Sequence, residues 1–195
     1  HPHSCRKRAA QGRKRIREII IPESDFINGE IIGAFAGDGS YKHTKKGRSS
    51  NNLIKFTFSF EKDKDYVDHI VFLLRKFGLK VSIYVKKFKK RPTAFDIRTC
   101  SVRFIEFIKN YLVWDEYYTN GNKNSKNKTY SVKLKDFEHP VDFLKGFARG
   151  LMDTDGFVSN KVGCGVVSEG LINNLKEILL KNDIKSDIKI IKRPP

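Results

Sequence analysis

Two stretches of this chain are versions of one another, and that repeat constrains the fold more than any other feature. Residues 25–39 read DFINGEIIGAFAGDG and residues 142–156 read DFLKGFARGLMDTDG. Six positions coincide at a constant offset of 117: Asp25/Asp142, Phe26/Phe143, Gly29/Gly146, Gly33/Gly150, Asp38/Asp155 and Gly39/Gly156. A repeated segment implies two like units in which both copies do the same physical job. Each copy is preceded by a proline, Pro22 or Pro140, which suits helix entry because proline's fixed φ and missing N–H cost nothing there. On a helix, Gly29, Gly33 and Gly37 recur every fourth residue and share one face, as do Gly146 and Gly150. An interior glycine costs up to about 1 kcal/mol relative to alanine, so a repeated row needs a return. The return is proximity: two side-chain-free faces let two helices approach more closely than usual, and the two copies can supply both sides of a pseudo-twofold contact.

The same packing would lay the C-terminal ends of the two helices side by side, and those ends carry Asp38 and Asp155. Two carboxylates beside the negative ends of two helix dipoles repel unless a cation sits between them. A hard divalent ion bound through oxygen, such as Mg²⁺, fits that arrangement.

The segments downstream of the two copies are also alike. After the first, the pattern reads as a polar turn, an alternating strand over 53–60, an amphipathic helix over about 63–77, strands over 80–87 and 94–99, and a helix over 101–112. After the second come a strand pair around 157–167, a helix from the cap Ser168 to about Lys181, and a strand over 186–191. The second unit then stops where the first still has a strand and a helix to go, so the expectation is a unit shortened at its C-terminus. The tract TNGNKNSKNK, residues 119–128, cannot bury apolar area and reads as a flexible linker, with a long loop inside one domain as the alternative. The expected organisation is a basic tail over 1–21, a first unit over 22–117, a linker over 118–139 and an incomplete second unit over 140–195.

The 195 residues carry 39 basic and 22 acidic side chains, a net charge of +17, which points to a polyanionic partner, nucleic acid first. Residues 6–17 hold seven basic side chains and no acid; removing them leaves +10, so the folded part is itself basic. No apolar run approaches the roughly 18 residues that would span a membrane. Cys5, Cys100 and Cys164 are far apart and form no CxxC pair, which suggests a reducing, intracellular setting without a zinc site; His1, His3 and Cys5 read as a tail. In the first strand Ile54, Phe56, Phe58 and Phe60 share one face and Lys55, Thr57 and Ser59 the other, one suited to a core and one to DNA. Lys86, Lys87, Lys89, Lys90, Arg91 and Arg98 crowd the next strand pair, either as a DNA surface or as a solvated hairpin. Arg98 and Thr99 are candidates for reading base edges, since arginine matches guanine.

These residues closely resemble the LAGLIDADG homing endonucleases in their single-chain, two-motif form. The nine-residue signature corresponds to Ile31-Ile32-Gly33-Ala34-Phe35-Ala36-Gly37-Asp38-Gly39 and to Ala148-Arg149-Gly150-Leu151-Met152-Asp153-Thr154-Asp155-Gly156. The second copy is the better match, because Ala36 stands where it has Asp153. The resemblance spans residues 24–195 and implies an α+β fold. Two pseudo-twofold-related αββαββα units would meet at their motif helices, and their antiparallel sheets would form a saddle for duplex DNA. It further implies Asp38 and Asp155 as catalytic metal ligands, helped by the carbonyls of Gly37 and Thr154, with Mg²⁺ as the ion and Mn²⁺ or Ca²⁺ able to replace it in binding.

The implied reaction is a staggered double-strand break in a long asymmetric target, promoting intron mobility, by a monomer. The family's site lysines usually assist cleavage, and Lys42 and Lys161 are the candidates for that role, with a phosphate contact or a merely solvated side chain as the alternative; Lys189 joins Lys55, Thr57, Ser59, Lys86, Lys87, Lys89, Arg91 and Arg98 as an expected DNA contact. No intein splicing block is visible, so an intron host is expected. The competing reading is a non-cleaving or dual-function RNA maturase or regulator on the same fold, with intron RNA as its partner. A generic basic RNA-binding protein would need no matched acid pair. The Ala36/Asp153 difference predicts two chemically unequal half-sites.

Overall fold

The computed structural model describes residues 17–46, 49–89, 91–115, 117–119, 122–124, 128–136 and 138–189. Residues 1–16 of the basic tail, together with Lys90 and residues 190–195, lie outside the described residues. Helix α1 spans Asp25–Gly37, β1 Gly39–Lys46, β2 Ser49–Ser59, α2 Lys64–Lys76, β3 Ser82–Phe88, β4 Arg91–Cys100 and α3 Val102–Tyr111. This order is the expected αββαββα of the first unit. Short strands β5 (Leu112–Val113), β6 (Tyr117–Thr119) and β7 (Asn122–Asn124), the one-turn helix α4 (Lys128–Ser131) and β8 (Lys133–Leu134) lead into the second unit. That unit contributes α5 (Val141–Asp155), β9 (Gly156–Val158), β10 (Val162–Cys164) and α6 (Glu169–Lys181). No helix among the described residues is long and apolar enough to cross a membrane.

Three helices start where serine can accept a main-chain N–H: Ser24 from Ile27, Ser101 from Phe104 and Ser168 from Leu171. Helix α1 is buried on every side from Asn28 to Ala36, which explains why it lacks the usual polar stripe. One side of α1 faces α5 through the glycines. A Cβ on Gly29 would overlap the carbonyl of Phe143, and one on Gly146 that of Phe26. Likewise Gly33 faces the carbonyl of Phe147, and Gly150 that of Glu30. Each contact has its mate at the offset of 117, so the helix pair is twofold in its own geometry. The other sides of α1 pack into a core that includes Phe35, Phe56, Phe77 and Phe104, all fully buried.

The four strands of the first unit, with β7 and β6 of the following segment added at the β1 edge, form an antiparallel sheet in the order β3-β4-β2-β1-β7-β6. Register assigns its faces. Ile54 pairs with Thr99, Phe56 with Ile97 and Phe58 with Phe95, all on the helix-covered side; Lys55 pairs with Arg98 and Thr57 with Asp96 on the outer side. The expected alternation of β2 is therefore present.

Three expectations are corrected. The polar turn after α1 is the eight-residue strand β1, paired with β2 from Gly39↔Phe56 to Lys46↔Ser49. Its inward tyrosine is hidden among glycine, serine and lysine, which give no apolar alternation. The flexible linker is in part folded: β7 joins the edge of β1 at Lys42↔Asn124, Val132 and Leu134 are buried, and the Ser168 hydroxyl donates to the Val132 carbonyl at 2.5 Å. Lastly, residues 186–189 of the strand expected over 186–191 are irregular. β9 and β10 pair with each other, and no strand among the described residues offers 186–189 a ladder.

Helix propensity alone says that Gly33→Ala or Gly150→Ala should stabilise the fold, whereas the packing says the reverse. Each is expected to lower the unfolding free energy by about 1–3 kcal/mol in urea titration, through overpacking against main chain. Gly165→Ala, where a Cβ meets nothing within 4 Å, serves as the near-neutral control. A stabilised Gly33→Ala would refute the close approach.

Candidate metal seam and nucleic-acid face

At the C-terminal ends of the paired helices the two motif acids come together. Asp38 caps α1, its main-chain N–H bonded to the Ala34 carbonyl at 3.1 Å, and Asp155 is the last residue of α5. The closeness is visible at Gly37, where a Cβ would collide with the Thr154 hydroxyl and lie 2.6 Å from Asp155 Oδ2. Burial, and after it the charge of Asp155, pushes the Asp38 carboxyl up to about 7. Burial also raises Asp155, against the pull of Lys128. The Asp155 carbonyl accepts from the Gly165 N–H at 2.9 Å, tying the end of α5 to the segment after β10. Cys164 beside it is an inert thiol, pushed up to about 12 by burial and by Asp155.

Close enough to the acids for its charge to act on both is a side chain with no role in the motif pattern. Lys128, from the tract expected as a linker, is only 3% exposed, and its ammonium donates to the carbonyls of Phe35 at 2.9 Å, Ala36 at 2.5 Å and Gly37 at 3.0 Å. It thus satisfies three of the carbonyls left open at the end of α1 and puts a positive charge at the negative end of the dipole. Burial pulls its ammonium down to about 8, while Asp155 and Asp38 hold it up. The Asn/Lys tract offered no periodicity that could have singled it out.

The donor set suits a hard ion. Asp38 and Asp155 supply charge, the Gly37 and Thr154 carbonyls are candidates for further oxygens, and among the described residues no three or more His, Cys, Asp or Glu side chains are grouped so as to hold a metal ion. A divalent ion here would rest on two carboxylates and complete its shell with main chain, water or phosphate oxygen, as Mg²⁺ commonly does. The Thr154 hydroxyl turns back onto its own helix, donating to the carbonyls of Gly150 and Leu151. Asp153 is outside the seam: it is exposed and lies 3.5 Å from Arg149 Nε. That guanidinium also meets the buried Glu30 at 3.1 Å, and His69 reaches Glu30 at 2.8 Å.

The outer face of the sheet gathers several of the expected nucleic-acid contacts around a residue the sequence reading missed. Asp96 is fully buried and accepts from Arg98 at 2.8 Å, Lys86 at 3.0 Å and Thr57 at 2.9 Å. Burial alone would raise its carboxyl, but those hydrogen bonds and the charge of Lys55 hold it down at about 2. The Arg98 guanidinium also stacks over Tyr84, 4.4 Å from the ring centre. An acid alternating in step with Arg98 on a polar strand face was the available signal.

Lys42, Lys87, Lys89 and Arg91 are exposed, the last three around the β3–β4 hairpin tip. Ser59 is spent on the turn after β2, its N–H donating to Asp63 at 2.7 Å. Lys161 is exposed in the β9–β10 turn, and Lys189 is exposed on irregular chain rather than on a strand. Thr99 is corrected: it is 3% exposed on the core face opposite Ile54, so it cannot read a base.

Because Asp38 titrates higher in the folded chain than in the unfolded one, the folded state holds the extra proton between about pH 4 and 7, and stability falls as pH rises through that window. In chelator, wild type is expected to lose stability between pH 5 and 7.5. Asp38→Asn should abolish most of that loss and exceed wild type at pH 7.5 by on the order of 1–3 kcal/mol in urea titration. A less stable Asp38→Asn would show that the two carboxylates do not repel.

Comparison with known proteins agrees with this geometry. A family model described as a LAGLIDADG-like domain matches residues 25–112. The uncharacterised protein MJ0398 of Methanocaldococcus jannaschii is 30% identical over 164 residues, covering 84% of this chain and 51% of the relative. The chain therefore spans about half the length of that protein. Among solved structures, mesophilic variants of the homing endonuclease I-DmoI superpose with a TM-score of 0.60 at 16% identity, covering 86% of this chain and 83% of theirs. I-DmoI in complex with DNA and Mn gives 0.59 at 17% identity, covering 86% and 84%. I-DmoI with DNA and Ca gives 0.58 at 18%, covering 83% and 74%. The chain therefore carries a LAGLIDADG-like domain over residues 25–112, a second motif-like stretch at 148–156, and the fold of these homing endonuclease structures.

Proposed function

We propose that this protein is a metal-dependent, site-specific DNA endonuclease that makes a staggered double-strand break and promotes the mobility of an intron. The observation that carries the reading is the pair Asp38 and Asp155, brought together at the ends of two glycine-faced helices. Packing explains the glycines; it does not explain a half-buried pair of carboxylates in which Asp38 stays raised despite the charge of Lys128, a cost that a bound cation or substrate would relieve. Mg²⁺ is the expected ion, and the related I-DmoI complexes contain Mn or Ca.

Asp38 and Asp155 would hold the ion, with the Gly37 and Thr154 carbonyls beside them. Once bound, a divalent ion supplies an activated water and charge neutralisation at the phosphate. The chain's own residues do the rest. The helix pair sets the separation of the carboxylates. Lys42, Lys55, Lys87, Lys89, Arg91, Lys161 and Lys189 attract and position the phosphodiester backbone of a duplex. Arg98, held by Asp96 and Tyr84, presents a guanidinium whose orientation is fixed before binding, as bidentate recognition of guanine requires. The half-sites are unequal, because Ala36 has no counterpart to the Asp153–Arg149 pair and Lys128 caps only the first motif helix.

A plasmid carrying the joined flanking sequences of the host intron is expected to be linearised with Mg²⁺ and left intact in chelator. Asp38→Asn and Asp155→Asn should each reduce the cutting rate by about 10²-fold or more, while band-shift assays in Ca²⁺ still show binding. Binding without cutting under any metal would exclude the nuclease reading.

For binding itself, Arg98→Ala is expected to weaken affinity by about 1–3 kcal/mol and to relax preference at one base pair. Lys87→Ala should weaken all sequences alike and lower the slope of log affinity against log salt by about 1. Fluorescence anisotropy over a salt series with single-base target variants separates the two. Equal effects on every target from both substitutions would remove Arg98 from base reading.

A further inference from the structure

Lys128 sits where a metal ligand's lone pairs should be free. The Gly37 carbonyl, next to the carboxylate of Asp38, accepts from Lys128 Nζ at 3.0 Å, and the ammonium is almost wholly enclosed, 5.3 Å from the centre of the Phe35 ring. Its charge acts on both Asp38 and Asp155. Helix α1 has no basic residue in its last turn, so this cation arrives from a different part of the chain, more than ninety residues away. The segment bearing it is anchored on both sides: β7 bonds to β1, and Val132 and Leu134 are buried, with the Leu134 N–H donating to the buried Asn174 at 2.9 Å. The lysine is therefore held in the seam by structure.

From this we propose that Lys128 is the internal cation of the metal seam: it occupies the Gly37 carbonyl and neutralises the two carboxylates in the metal-free protein, and a divalent ion binding on that side must displace it. The proposal rests on the metal-dependent reading above and adds a consequence to it. A site already occupied by an ammonium binds a second cation weakly, because like charges so close in a partly buried setting oppose one another. A DNA phosphate that brings its own negative charge and oxygen ligands shifts that balance, so the ion binds weakly to the free protein and more tightly together with the substrate. Lys128 is on this view a positioning residue that acts through Gly37, Asp38 and Asp155.

The test measures metal binding by the full 195-residue chain without DNA. In calorimetric titration with Ca²⁺ alone, Lys128→Met is expected to bind about tenfold more tightly than wild type, as removal of a close like charge predicts. Should that variant not fold, wild type decides the matter through limited acetylation with mass-spectrometric readout. Lys128 is then protected in chelator and becomes several-fold more reactive at saturating Ca²⁺, while exposed Lys161 is unchanged. Equal or weaker Ca²⁺ binding by Lys128→Met, or a Lys128 that stays equally protected with Ca²⁺ bound, overturns the competition and leaves the metal seam standing. No Ca²⁺ binding by either protein overturns both.

Discussion

The contact between α1 and α5 is the constraint that organises this structure. Their backbones touch because Gly29, Gly33, Gly146 and Gly150 present no side chain, and each of the four faces a main-chain carbonyl of the other helix. That approach buries α1 on every side from Asn28 to Ala36, and a helix so buried needs cover on its other sides. The cover is the aromatic core of the first unit and the sheet beyond it. The pair also places two helix C-termini at one point, which concentrates open carbonyls and two acids there.

Charge then has to be settled at two depths. In the seam, Lys128 compensates the acids and caps the last turn of α1 through Phe35, Ala36 and Gly37. On the outer face of the sheet, Asp96 does the converse, holding Arg98, Lys86 and Thr57 in one arrangement on a surface otherwise dominated by positive charge. Both are single residues of the sign opposite to their surroundings, and both limit where their neighbours can point. The twofold symmetry of the glycines does not extend to these charges. Glu30 pairs with Arg149 across the helix interface, yet the positions related to them by the repeat are Phe147 and Ile32. The helix pair is therefore symmetric in its backbone and directional in its electrostatics, which suits two copies joined in one chain rather than two identical chains.

Much of this was legible in the linear sequence wherever the signal was periodic. Glycines at every fourth position reported a shared face, and the isoleucine and phenylalanine alternation of β2 reported a half-buried strand. The repeat offset located Asp155 from Asp38. Legibility failed where a segment acquires structure only by meeting another. Strand β1 carries too few apolar residues to be seen without β2 beside it, and β7 exists because β1 offers an edge. Residues 186–189 carry a strand-like pattern but find no ladder among the described residues. Thr99 was misplaced by one position, since neighbours in a strand point to opposite faces and only the pairing with Ile54 shows which face is which.

By itself the sequence determined that there are two motif helices, that they meet through glycine, and that each ends in an acid, because spacing along a helix converts directly into a face and an end. Tertiary structure alone decided which cation accompanies those acids. Lys128 lies in a stretch whose composition says only that it is polar, and its role comes from the distance the chain travels before returning to the end of α1. The same holds for Asp96, whose burial among Arg98, Lys86 and Thr57 depends on the register of three strands. Periodicity is a local property of the chain; the placement of one isolated charge beside another is set by long-range packing, which no local pattern encodes.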